Sequence, residues 1–185
     1  MKINPQSGLI ETATYIPSPN NDERPDGCPA DLLVIHSISL PPGEYGGHWI
    51  EKLFTNTLPP DEHPYFKEIE GMQVSSHVLI QRDGNIIQFV PFEKRAWHAG
   101  ESSYENRTAC NDFSIGIELE GTDTDSFEDA QYQQLAKLID CLCETYETLS
   151  PVRIAGHSDI SPGRKTDPGT GFDWIRLNKL LKTSD

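Results

Sequence analysis

The stretch Asp31-Leu32-Leu33-Val34-Ile35-His36 constrains this chain more than any other. A near-continuous apolar run of strand length suits a strand buried on both faces, so the fold must supply a layer above it and a layer below. His36 ends the run on the same face as Leu32 and Val34, because successive side chains of a strand alternate. A lone imidazole at a strand end is usually structural. It becomes chemistry only where partners converge on it.

The other elements are read in relation to that strand. Phe113 to Glu120 alternates, with Phe113, Ile115, Ile117 and Leu119 on a face expected to pack on helices. Ser114, Gly116, Glu118 and Glu120 share the other face, where the small residues should leave open space in front of Glu118. Val74–Gln81 and Ile86–Val90, joined through Arg82-Asp83-Gly84-Asn85, predict a β-hairpin, with His77 as a packed or hydrogen-bonded core histidine. His48 to Phe54 predicts a short helix, followed by a Pro-rich connection through Pro59, Pro60 and Pro64. Ser126 to Glu147 predicts the longest helix. Its Leu135, Leu138, Ile139, Leu142 and Tyr146 form one apolar stripe, and Ser126 with Asp129 forms a weak capping box. A strand over Val152–Ala155, a polar loop and a helix from Asp173 to about Lys182 finish the chain. Residues 1–30, broken by Pro17, Pro19, Pro25 and Pro29, read as an irregular arm around the core. The expected fold class is α/β, a single mixed sheet flanked by helices, in one domain spanning 1–185.

Composition enters where it excludes partners. Lys and Arg total 15 against 29 Asp and Glu, a formal charge of −14. That argues against nucleic acid or an anionic membrane surface, since both need a basic face. Met1 to Asn20 contains no apolar run, and no window is long or apolar enough to span a bilayer, so a cytoplasmic location is expected. Cys28, Cys110, Cys141 and Cys143 form no C-x-x-C pair and are expected as free thiols.

The chemistry concentrates in Gly156 to Gly169, which places His157, Asp159, Arg164, Lys165 and Asp167 in one turn punctuated by Pro162, Gly163 and Pro168. Asp-Pro-Gly is also ordinary turn chemistry, and both readings stand on this stretch alone. Catalytic zinc takes three protein ligands and leaves the fourth position to water. His36, His157 and Asp167 supply such a set, which would leave a zinc site of net charge +1. Glu118 is then the candidate proton acceptor, although a solvated edge-strand carboxylate has the same pattern. Lys165 is a candidate for stabilising an oxyanion. Trp97 and His98, within Arg95-Ala96-Trp97-His98-Ala99-Gly100, either wall a cleft or plug the core.

These stretches, together with Ser39-Leu40-Pro41-Pro42-Gly43, Ser76-His77 and Asn111 to Gly121, resemble the zinc N-acetylmuramoyl-L-alanine amidases of the amidase_2 type. The similarity runs over about residues 8 to 178. It implies zinc ligands at His36, His157 and Asp167, a catalytic carboxylate at Glu118 and a catalytic lysine at Lys165. It also implies a mixed sheet shared with peptidoglycan recognition proteins. The expected substrate is a small 1,6-anhydro-N-acetylmuramoyl peptide, with Ser37, Trp97, His98 and Arg164 as its contacts and no obligate protein partner. Ser37 departs from the asparagine usual after the first ligand, and its shorter hydroxyl cannot make all the contacts of an amide. A related amidase of polymeric peptidoglycan, and a non-catalytic muropeptide binder, are the competing expectations.

Overall fold

The computed structural model describes residues 1–181. Among these, six strands form the main sheet: β1 (Thr14–Tyr15), β2 (Leu32–Ile38), β3 (Val78–Ile80), β4 (Ile86–Gln88), β5 (Ser114–Glu120) and β6 (Ile154–Gly156), in the order β6-β2-β5-β3-β4-β1. β6, β2, β5 and β3 run parallel, β3 and β4 form the antiparallel hairpin, and β1 lies parallel to β4. The sheet is therefore mixed, and β2 is a central strand with Leu32 to Ile35 wholly buried, as its apolar run requires.

The helices are α1 (Trp49–Phe54), α2 (Pro64–Glu68), α3 (Asp129–Thr145), α4 (His157–Ile160) and α5 (Trp174–Leu180). Leu135, Leu138, Ile139 and Leu142 of α3 pack with Leu33, Ile35, Ile115, Ile117 and Leu119, so one face of β2 and β5 is closed by α3 and α5. Leu32 and Val34 pack instead with Phe113, Ala155 and Ile160 on the opposite face, and α1 and α2 cover Leu79, Ile87 and Phe89. His36, in phase with Leu32 and Val34, thus points away from α3.

Several boundaries differ from the sequence expectation, each for a physical reason. The arm is not irregular throughout. Thr14–Tyr15 becomes an edge strand, Ile3–Asn4 pairs with Leu9–Ile10, and Asn21–Asp22 pairs with Arg95–Ala96. Pieces this short fit between prolines without a periodic run. Phe113 precedes β5 and packs on the face opposite Ile115. Pro64 opens α2, where a missing N–H costs nothing, so the Pro-rich connection contains a helix. The start of α3 is not capped by Ser126. The Glu128 N–H donates to Gln131 Oε1 at 3.0 Å, and the Gln131 amide donates to the carbonyls of Ile80 and Glu120. One buried carboxamide caps the helix and ties it to the ends of β3 and β5. Val152 lies outside β6 in a turn closed by Arg153 N–H to Ser150 O, and Asp173 caps α5 by accepting from Arg176 N–H. The expected end of that helix at Lys182 falls outside the described residues. His77 is a core histidine, held between Gly116 N–H and the Lys94 carbonyl.

Candidate active site

In a sheet with parallel strands, side chains at the carboxyl ends converge on one edge, the usual place for a ligand crevice. His36 lies near the end of β2, and Glu118 lies opposite it in register near the end of β5. His157 follows β6 directly. Asp167 returns to the same edge because the Ser158 N–H donates to the Asp167 carbonyl at 2.9 Å. The returning loop passes so close that a Cβ on Gly156 would stand 2.9 Å from Pro168 Cδ, and Gly169, at φ +76°, would strike the backbone of Asp123.

His36 Nδ1, His157 Nδ1 and Asp167 Oδ2 form a triangle with every side 3.0 Å. The His157 Nε2 donates to the Ala99 carbonyl at 3.1 Å, which leaves Nδ1 as the lone-pair nitrogen. Burial, only partly opposed by the Asp167 carboxylate beside it, lowers His36 to about 4, so it is neutral near pH 7. Burial pushes Asp167 up, but His157 and His36 beside it outweigh that and hold the carboxyl well below its usual range. Two neutral imidazoles and a carboxylate, with their acceptor atoms facing one another, are what a divalent cation requires. A tetrahedral zinc with ligands at about 2.0–2.1 Å separates them by roughly 3.3 Å, close to the distances here.

Glu118 is 8% exposed, and its Oε2 has no hydrogen-bond partner. Burial, and then the charge of Asp167, raises its pKa well above the ordinary 4.5, against a lowering by Lys165. Lys165 is exposed. A cleft of about 530 Å³ is lined by His36, Glu118, His157, Lys165 and Asp167, with Leu53, Tyr65 and Ile69 among its apolar walls. This is the size of a site for a small ligand.

The expected contacts separate. Ser37 and His98 line this cleft, whereas Trp97 and Arg164 do not. Ser37 Oγ donates to Asp123 Oδ1 at 3.1 Å. Arg164 donates to the carbonyls of Ala99 and Glu101, both at 2.7 Å, and so braces the loop. Trp97 is half-buried, and its Nε1 is buried without a partner. The space expected in front of β5 is partly filled. The His98 ring lies over Gly116, where a Cβ would come within 2.4 Å of its Cγ. Sequence reasoning missed Asp123, which also accepts from Thr166 Oγ1 and borders the cleft. In Gly121-Thr122-Asp123-Thr124 it looks like any turn aspartate.

Residues 26–170 match the family described as N-acetylmuramoyl-L-alanine amidase. The 1,6-anhydro-N-acetylmuramyl-L-alanine amidase AmpD of Salmonella typhimurium is 56% identical over 180 residues, covering 97% of this chain and 96% of the relative. The crystal structure of a selenomethionine AmpD derivative superposes with a TM-score of 0.95 at 54% identity, covering 98% of this chain and 100% of that one. The N-acetylmuramyl-L-alanine amidase AmiD from E. coli, solved with anhydro-N-acetylmuramic acid-L-Ala-D-γ-Glu-L-Lys, has a TM-score of 0.60 at 30% identity. That match covers 86% of this chain and 60% of AmiD.

Proposed function

This chain belongs to the N-acetylmuramoyl-L-alanine amidase family, and on that premise we propose that it hydrolyses the amide between the lactyl group of 1,6-anhydro-N-acetylmuramic acid and L-alanine in muropeptides. The names of its relatives and the ligand of AmiD support the substrate class. The observation that carries the reading is a buried, unpartnered Glu118 beside the His36–His157–Asp167 triangle in an open cleft.

Zinc is the proposed cofactor, held by His36, His157 and Asp167. Bound there, it would supply a water of lowered pKa and polarise the scissile carbonyl. Glu118 accepts the proton of the attacking water, a task suited to a carboxylate whose pKa burial has raised. As the carbon–oxygen bond forms, charge develops on the carbonyl oxygen, and Lys165 stabilises it. Glu118 then returns the proton to the alanine nitrogen as the carbon–nitrogen bond breaks. The products are the free muramic carboxylate and the peptide with a free amine. Ser37, on the cleft wall, is the proposed substrate contact.

The proposed role is recycling of soluble wall fragments in the cytoplasm. Cys28, Cys110, Cys141 and Cys143 are all free thiols, which suits a reducing compartment. No helix among the described residues is long and apolar enough to cross a membrane. Mass analysis of products from 1,6-anhydro-N-acetylmuramoyl tripeptide tests the function. Separate sugar-acid and peptide masses are expected, abolished by a chelator and restored by zinc. An intact substrate, or cleavage between amino acids of the peptide, would contradict it.

A further inference from the structure

His36 has two ring nitrogens, and its usefulness as a ligand depends on which carries the proton. Its Nδ1 faces His157 and Asp167, while its Nε2 lies 2.9 Å from His98 Nδ1. His98 Nε2 in turn lies 3.1 Å from Ser114 Oγ, and Ser114 Oγ lies 2.5 Å from the Cys110 carbonyl. Directions follow from the far end. A carbonyl only accepts, so the Ser114 hydroxyl donates to Cys110 O and its lone pair accepts from His98 Nε2–H. A neutral His98 then has its lone pair on Nδ1, which accepts from His36 Nε2–H.

We propose that His98 is a positioning residue for the metal, fixing His36 as the tautomer whose Nδ1 lone pair faces the cation, through a hydrogen-bond chain anchored on the Cys110 carbonyl. This rests on the metal reading above and adds a residue to it. His98, expected from sequence as a substrate contact, has both ring nitrogens engaged by protein groups. Its ring is seated as a brace would be. It lies flat on Gly116, where no side chain fits, and the N–H groups of His98 and Ala99 both donate to Asn111 Oδ1, at 3.1 and 2.7 Å. The neighbouring Ala99 carbonyl takes the Nε2–H of His157. Two consecutive residues therefore orient both imidazoles, one by side chain and one by backbone. Outer partners of this kind set ligand tautomer and basicity, and their loss typically lowers metal affinity ~10–100-fold.

The test compares zinc dissociation constants, by competition with a chromophoric chelator, for the full chain and two variants. His98→Leu and His98→Asn have nearly the same shape, and only Asn offers an oxygen where Nδ1 stood. His98→Leu should bind zinc ~10–100-fold more weakly, and His98→Asn should recover most of that loss. Equal affinities for Leu and Asn, whether normal or reduced, would overturn the proposal, because packing alone would then explain His98. Long-range proton–nitrogen NMR of the metal-free wild-type protein reads the tautomer without any variant. His36 should carry its proton on Nε2, and a dominant Nδ1–H form would refute the chain. Failure of wild-type protein to bind zinc would strike the metal reading itself, a result distinct from either of these.

Discussion

Glu118 shows at the scale of one residue how an unfavourable environment becomes useful. Its carboxyl is buried and one oxygen is unpartnered, so ionisation is penalised in the folded protein. A carboxyl whose folded pKa lies above its unfolded value binds its proton more tightly when folded. Wild-type stability therefore falls as pH rises from about the ordinary 4.5 through the raised value. Glu118→Gln removes that loss. In metal-free protein it should be more stable than wild type at neutral pH, with the gap closing below about pH 4, as urea midpoints at the two pH values will show. The same variant should lose ~10²–10⁴ in turnover, and near-normal turnover would remove Glu118 from the mechanism. Lys165 makes the complementary case. An ammonium group gains most of its attraction to the amide oxygen only when that oxygen becomes an anion, so Lys165→Met should lower kcat by roughly 10²–10³ with little change in KM. A pure KM effect would make it a substrate-binding residue instead.

The elements were legible to different degrees. β2 could be read because a strand buried on both faces carries a near-continuous apolar run, the alternation of Ile115, Ile117 and Leu119 because β5 turns those side chains to the α3 face, and the stripe of α3 because packing on one side imposes a period near 3.6. Leu138 sits wholly buried at the centre of that stripe. Leu138→Ala should cost roughly 2–5 kcal/mol in denaturant unfolding. Its zinc affinity should stay near wild type, because α3 packs on the sheet face away from His36. What was hidden had no period. Gln131 works through one local hydrogen bond and two to the ends of β3 and β5, and α2 is a five-residue helix announced only by Pro64. At the site, His36, Glu118, His157, Lys165 and Asp167 were legible by chemical type and by family resemblance. That His98 engages His36 and Ser114, or that Arg164 turns onto backbone carbonyls, depends on distances that residue spacing does not encode.

Across the whole molecule, the two faces of the sheet divide the work. α3 and α5 close one face with an apolar core, and the other carries the histidines at the carboxyl ends of parallel strands. β2 contributes His36, β5 contributes Glu118, and the turn after β6 contributes His157. The site is thus assembled from segments as much as 121 residues apart, and the sheet register sets its geometry. In a chain of net charge −14, a cation in the His36–His157–Asp167 triangle would counter the surrounding acidity where an oxyanion must form. The central claim is that this triangle is a zinc site. Elemental analysis of dialysed wild-type protein and of His157→Ala tests it most directly. The account predicts one zinc per chain in the wild type and loss of most of it in the variant, since an imidazole ligand has gone. A wild-type protein that takes up no zinc, or a His157→Ala protein that keeps its full complement, would contradict it.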